Sequence, residues 1–181
     1  KGEDDYLPPV IEEKKMINII NKETQQTHLV IGYPGISIRD KDRDTIRVLS
    51  TLIGGNMSSR MFTEVREKRG LAYYVRTVAD TLLDTGAIAT MAGVNNEKSF
   101  DAVKIIKEVF ESATRDIPEN ELQKTKDFMT GIMTLQYENS EVRSEINAMT
   151  ELYGLEHNSL AERIKNIEKV SSSEVKAVAK K

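Results

Sequence analysis

The sequence predicts an α+β domain, a mostly antiparallel sheet covered on one face by helices. Two observations carry that prediction. Strand-like runs of β-branched, aromatic and small residues are confined to the first half of the 181 residues, with helical segments between them. After Asn95-Asn96 every apolar pattern has helical spacing. The length suits one domain burying roughly 70% of its unfolded surface, and 39% hydrophobic content with 30% charge is ordinary for a globular chain.

In chain order, residues 1–12 are charged and carry Pro8-Pro9, which cannot sit inside a helix or a central strand. They read as a linker arriving from upstream, with residues 13–181 as a single domain. Met16, Ile17, Ile19 and Ile20 predict a strand over 15–21, and Leu29, Val30 and Ile31 a second over 27–33, stopped by Pro34-Gly35. The polar residues 22–25 would let the two pair as neighbours. Asp40, Asp42 and Asp44 complement a helix N-terminus, and Ile46, Leu49, Leu52 and Ile53 then recur at helical spacing until Gly54-Gly55.

Ser58 or Ser59 caps the next helix, whose buried stripe is Met61, Phe62 and Val65; Glu64 and Lys68 stand at i,i+4, and Gly70 supplies the left-handed stop. Residues 71–80 and 85–94 read as a hairpin joined through Leu82-Leu83-Asp84. Phe100, Val103, Ile106 and Phe110 mark a helix; Leu122, Met129, Ile132 and Met133 mark another beginning at Pro118. A helix over 140–153 ends at Gly154. Ser159 with Glu162 and Ser171 with Glu174 are capping boxes opening two short closing helices.

Composition excludes several functions. A net charge of −3 lacks the basic excess that phosphate backbones attract, so no nucleic-acid partner is expected. Absence of cysteine rules out disulfides, thiolate zinc sites and cysteine nucleophiles. No apolar run approaches the roughly 20 residues that span a bilayer, so no membrane segment is expected. The start Lys1-Gly2-Glu3-Asp4-Asp5 is too acidic for a signal peptide, which favours a cytoplasmic setting. The chain holds only His28 and His157, each without a second histidine or a carboxylate at helical spacing, so no metal site is expected within it. Ser58 and Ser59 have a use as caps and no nearby histidine to activate them, and the glycines fit no phosphate-binding fingerprint.

What remains is the corner from Gly54 to Tyr74. Arg66 stands in the last turns of its helix and Tyr73 at the start of the following strand. Two readings are open. Arg66 is an exposed cation beside Glu67 and Tyr73 a half-buried strand aromatic, or the guanidinium and phenol are two donors aimed at one acceptor, such as a peptide carbonyl or the oxyanion it becomes.

The string Leu52-Ile53-Gly54-Gly55-Asn56-Met57-Ser58-Ser59-Arg60-Met61-Phe62, followed by Val65-Arg66-Glu67-Lys68-Arg69-Gly70-Leu71-Ala72-Tyr73, resembles the C-terminal half of the insulinase and pitrilysin-type zinc peptidases, nearest their mitochondrial-processing-peptidase-like branch. The likeness extends more weakly through residues 26–32, Asp84-Thr85-Gly86 and Glu119-Asn120-Glu121-Leu122. It implies a half-domain that closes with a homologous N-terminal half, or a homologous subunit, around an extended peptide substrate. Zinc on an inverted HxxEH motif is expected in that other half and not in this chain. Arg66 and Tyr73 would bind substrate, while Gly54, Gly55, Ser58 and Gly70 set the corner's shape. Asn56 stands where a third glycine is common and Met61 where leucine is usual; asparagine is the non-glycine residue that best tolerates a left-handed backbone. The alternative within the family is a non-catalytic assembly subunit, and a dimer would fit the family's habit of pairing subunits.

Overall fold

Residues 23–181 are described by a computed structural model. The predicted linker over 1–12 and strand over 15–21, with its pairing, lie outside the described residues. The second predicted strand forms as β1, Thr27–Pro34, and the predicted hairpin forms as β2, Ala72–Thr81, with β3, Gly86–Val94. All pair antiparallel in the order β1-β3-β2, so the described partner of β1 is β3.

Strand alternation sorts the sheet into two faces. Leu29 and Ile31 of β1, Val75, Thr77 and Ala79 of β2, and Ile88, Thr90, Ala92 and Val94 of β3 point into the core. His28 and Val30, Tyr74 and Arg76, and Met91 and Gly93 share the other face, where Val30 is 71% exposed. Within the core the hydroxyls of Thr77 and Thr90 bond each other at 2.7 Å, which satisfies two polar groups that water cannot reach.

The helical layer begins with α1, Arg43–Gly54, whose Ile46, Leu49, Leu52 and Ile53 are all buried as their spacing requires. Helices α2, Ser99–Arg115, and α3, Glu119–Tyr137, follow the hairpin. The stripe of α2 differs from the expectation: Phe100 is 88% exposed and the buried positions are Ala102, Ile106, Val109 and Ala113. Small alanines let α2 lie close to its neighbours, and this turns Phe100 outward. Ile132 of α3 is likewise exposed while Leu122 and Met129 are buried. Pro118 stands one residue before α3, in extended conformation, rather than inside its first turn.

Helix α4, Ser140–Leu152, precedes Gly154 with φ +62°, and α5, Leu160–Lys169, and α6, Ser172–Lys180, close the layer. Both predicted capping boxes are complete, each serine accepting from the glutamate N–H and each glutamate from the serine N–H. Bonds from the serine hydroxyl, then from its backbone, hold the Glu174 carboxyl below its usual range. Replacing Ser171 by Ala should lower stability by about 1 kcal/mol in urea unfolding. Because the folded carboxyl is the more acidic, Glu174's own contribution is present above the ordinary glutamate pKa of about 4.3 and lost as pH falls below it. The serine variant's deficit should therefore shrink on acidification.

Candidate functional site

The corner is built on close approach. At Gly54 a Cβ would lie 2.2 Å from Thr77 Oγ1 and 2.7 Å from its main-chain N, so only glycine lets the end of α1 meet β2. A Cβ on Gly55 would fall 2.6 Å from Thr51 Cα. Gly55 has φ −86°, so it does not end the helix by turning left-handed. Nor is Asn56 left-handed: among the described residues positive φ occurs only at Gly70 and Gly154. Asn56 instead makes a turn, its side-chain oxygen accepting from Ser58 N at 2.7 Å and its carbonyl from Ser59 N at 3.2 Å. The hydroxyl that meets the next segment's free N–H groups is that of buried Ser59, which accepts from Phe62 N at 3.4 Å; Ser58 is exposed.

The segment that follows, expected as an α-helix, is π-helical over Phe62–Glu67, with Lys68 N donating to Thr63 O at 2.9 Å. Such wide turns recur at functional sites. Met61 and Val65 face the core as their spacing predicts, while Phe62 is only half-buried. Gly70, at φ +57°, closes the segment: its N–H donates to Arg66 O at 3.0 Å and Leu71 N to Val65 O at 2.9 Å. These two bonds have the form of a Schellman cap widened by one residue each. Glu64 pairs with Lys68 at 2.6 Å and with Arg69. The Lys68 bond, then that from Arg69, holds the Glu64 carboxyl below its usual range. Arg66 takes no part in this network. Its guanidinium carbon lies 4.9 Å from the Phe62 ring centroid, and among the described residues it makes no hydrogen bond or ion pair.

The strand after Gly70 is also irregular. Ala72 pairs with Val94 and Tyr74 with Gly93, so Tyr73 is the extra residue of a β-bulge. It is 60% exposed, and among the described residues its hydroxyl has no partner. Bulges re-aim side chains. The π-helical segment packs on β2, so one reversal joins two distorted elements, each presenting an uncommitted donor. No bond joins Arg66 to Tyr73; both donors are available to a third party.

Two features escaped sequence reasoning. Arg60 grips Glu121 through Nε at 2.7 Å and Nη2 at 2.6 Å, Ser112 Oγ through Nη1 at 2.9 Å and Asp116 O at 2.8 Å. That fork ties the start of the corner segment to the α2–α3 junction. Tyr74, beside Tyr73, reaches across the sheet so that its hydroxyl lies 3.0 Å from His28 Nδ1. The second histidine, His157, lies 2.8 Å from Glu151. Among the described residues no three His, Cys, Asp or Glu side chains converge, so these residues do not fit a metal centre. Nor is any described helix long and apolar enough to cross a membrane.

The chain belongs to the peptidase M16 inactive (C-terminal) domain family, whose description it matches over residues 3–129. It is 34% identical over 165 residues to an uncharacterised zinc protease of Mycobacterium bovis, covering 91% of this chain and 38% of that protein. The chain thus spans less than two fifths of that relative. Among solved structures it resembles the peptidase M16 inactive domain from Pseudomonas fluorescens, with TM-score 0.75 and 25% identity over 85% of this chain and 37% of the other. It shares the fold of a conserved protein from Enterococcus faecalis V583, with TM-score 0.79 and 24% identity, over 92% of this chain and 40% of that one.

Proposed function

We propose that this chain is the substrate-clamping half of a two-half zinc peptidase, with Arg66 and Tyr73 holding the carbonyl of an extended peptide. One observation carries this reading above all: both donors are exposed, without polar partners among the described residues, and stand on neighbouring elements that each depart from regular geometry. A guanidinium and a phenol aimed at one carbonyl bind it and stabilise the charge it gains under attack. Gly54, Gly55 and Gly70 shape the corner that carries them, with Ser58 contributing its backbone N–H to the Asn56 turn and Ser59, in place of Ser58, the capping hydroxyl. Zinc, implied by the relative's name, would be held by a partner half, from the same protein or a homologous subunit, and would supply the hydrolytic chemistry. A cytoplasmic setting goes with the chain's acidic balance.

The test is a peptide-cleavage assay on the full-length protein and on this chain alone. The full-length protein should cleave extended peptides, lose that activity to a zinc chelator and regain it with zinc, while the isolated chain cleaves nothing. A zinc-loaded full-length protein that cleaves no peptide but forms a stable subunit complex would replace this reading with the assembly-subunit alternative.

A further inference from the structure

The bulge that frees Tyr73 creates a problem of aim. A residue outside the strand ladder has no cross-strand partner to fix its direction, and bulges add local twist. The next residue answers this. Tyr74 rejoins the ladder opposite Gly93, and Gly93 in turn pairs with His28 of β1, so His28, Gly93 and Tyr74 form one rung across all three described strands. The middle of the rung is bare, and the Tyr74 ring lies in the space: a Cβ on Gly93 would sit 2.4 Å from Tyr74 Cε1 and 2.9 Å from Cδ1. Crossing β3 brings the phenol to His28, oxygen to Nδ1 at 3.0 Å, with ring centroids 6.2 Å apart. Tyr74 is 44% exposed, and a hydrogen bond between two accessible groups adds little to stability. The consequence of the contact lies in orientation.

We infer that Tyr74, laid over Gly93 and tied to His28, is a positioning residue that locks the bulge and thereby aims the Tyr73 hydroxyl. This rests on the clamp reading given above. Tyr74 is held at both ends, by its backbone to β3 and by its phenol near β1, so the peptide plane between residues 73 and 74 is restrained from one side. With Ala72 paired to Val94 on the other side, Tyr73 keeps chiefly its own side-chain torsions as freedom.

Gly93→Ala is the discriminating variant, because the intruding methyl meets the end of a movable side chain and displaces the ring rather than the backbone. In the full-length protein, Gly93→Ala and Tyr74→Leu should each lower kcat by roughly 10- to 100-fold with KM nearly unchanged, as expected for a donor displaced by about an ångström. Tyr74→Phe, which keeps the ring and loses the His28 contact, should fall between these and the unsubstituted protein. In a Tyr73→Phe background none of the three should lower kcat further. A fall of equal size in that background, or no fall at all, overturns the inference. Should Arg66→Ala and Tyr73→Phe themselves leave turnover unchanged, the clamp reading fails on its own, and amide hydrogen exchange over residues 72–75 still judges the lock. Faster exchange in Gly93→Ala supports it, and unchanged exchange overturns it.

Discussion

Replacing Arg66 by Ala in the full-length protein should lower kcat by roughly 10²- to 10³-fold, and Tyr73→Phe by a similar factor, with KM changing far less. The reasoning begins with what the folded chain does not ask of these side chains. Tyr73 is 60% exposed and its hydroxyl is unengaged among the described residues, so its removal leaves no buried group unsatisfied. Arg66 loses only its contact with the Phe62 ring, worth about 0.5–1 kcal/mol at an exposed site. Stability should therefore move by about 1 kcal/mol or less in either variant, and a loss of turnover cannot be assigned to unfolding. If both donors meet one carbonyl, the double variant should fall short of the product of the two single effects, because the first loss already lets the carbonyl shift. Full activity in both single variants would make Arg66 a surface cation stacked on Phe62 and Tyr73 a bulge residue without function.

The sequence disclosed the local features of this site more fully than the long-range ones. Gly70 was legible because a helix meeting a strand within two residues needs a left-handed stop, and the boxes at Ser159 and Ser171 because capping chemistry is contained within four residues. The π-helical widening was not legible: Met61 and Val65, four apart, face inward in an α-turn and in a slightly wider one alike. The bulge at Tyr73 was hidden for a related reason, since a single extra residue inside an aromatic run breaks no visible alternation. Asn56 looked like a substitute for a left-handed glycine, yet its carboxamide makes a side-chain turn at negative φ. Phe100 misled because a large apolar residue at helical spacing outweighs an alanine in any hydropathy count, whereas close helix packing favours Ala102 and Ala113. Contacts that join distant positions, Arg60 with Glu121 and His28 with Tyr74, leave no periodic trace in the chain.

Arg60→Ala should be strongly destabilising, costing about 2–4 kcal/mol in urea unfolding. Its guanidinium side chain is 15% exposed and that of Glu121 28% exposed, so the pair is largely but not wholly removed from water. Deleting one member of a buried pair costs roughly 3–5 kcal/mol because a charge is stranded, and partial solvent access to Glu121 lowers that figure. Ser112 Oγ and Asp116 O lose their donor in the same step. The asymmetry between single and double changes separates stranding from simple loss of attraction. Arg60→Met with Glu121→Leu removes both charges and keeps apolar volume, so it should recover most of the stability lost in Arg60→Ala. Function should not recover with it. Without the fork the segment that begins at Arg60 is no longer fixed to the α2–α3 junction, and Arg66, at the far end of the same segment, loses its set position. The double variant should thus fold nearly as stably as the unsubstituted protein while turning over peptide more slowly, and equal turnover would show that the fork holds the fold without aiming the site.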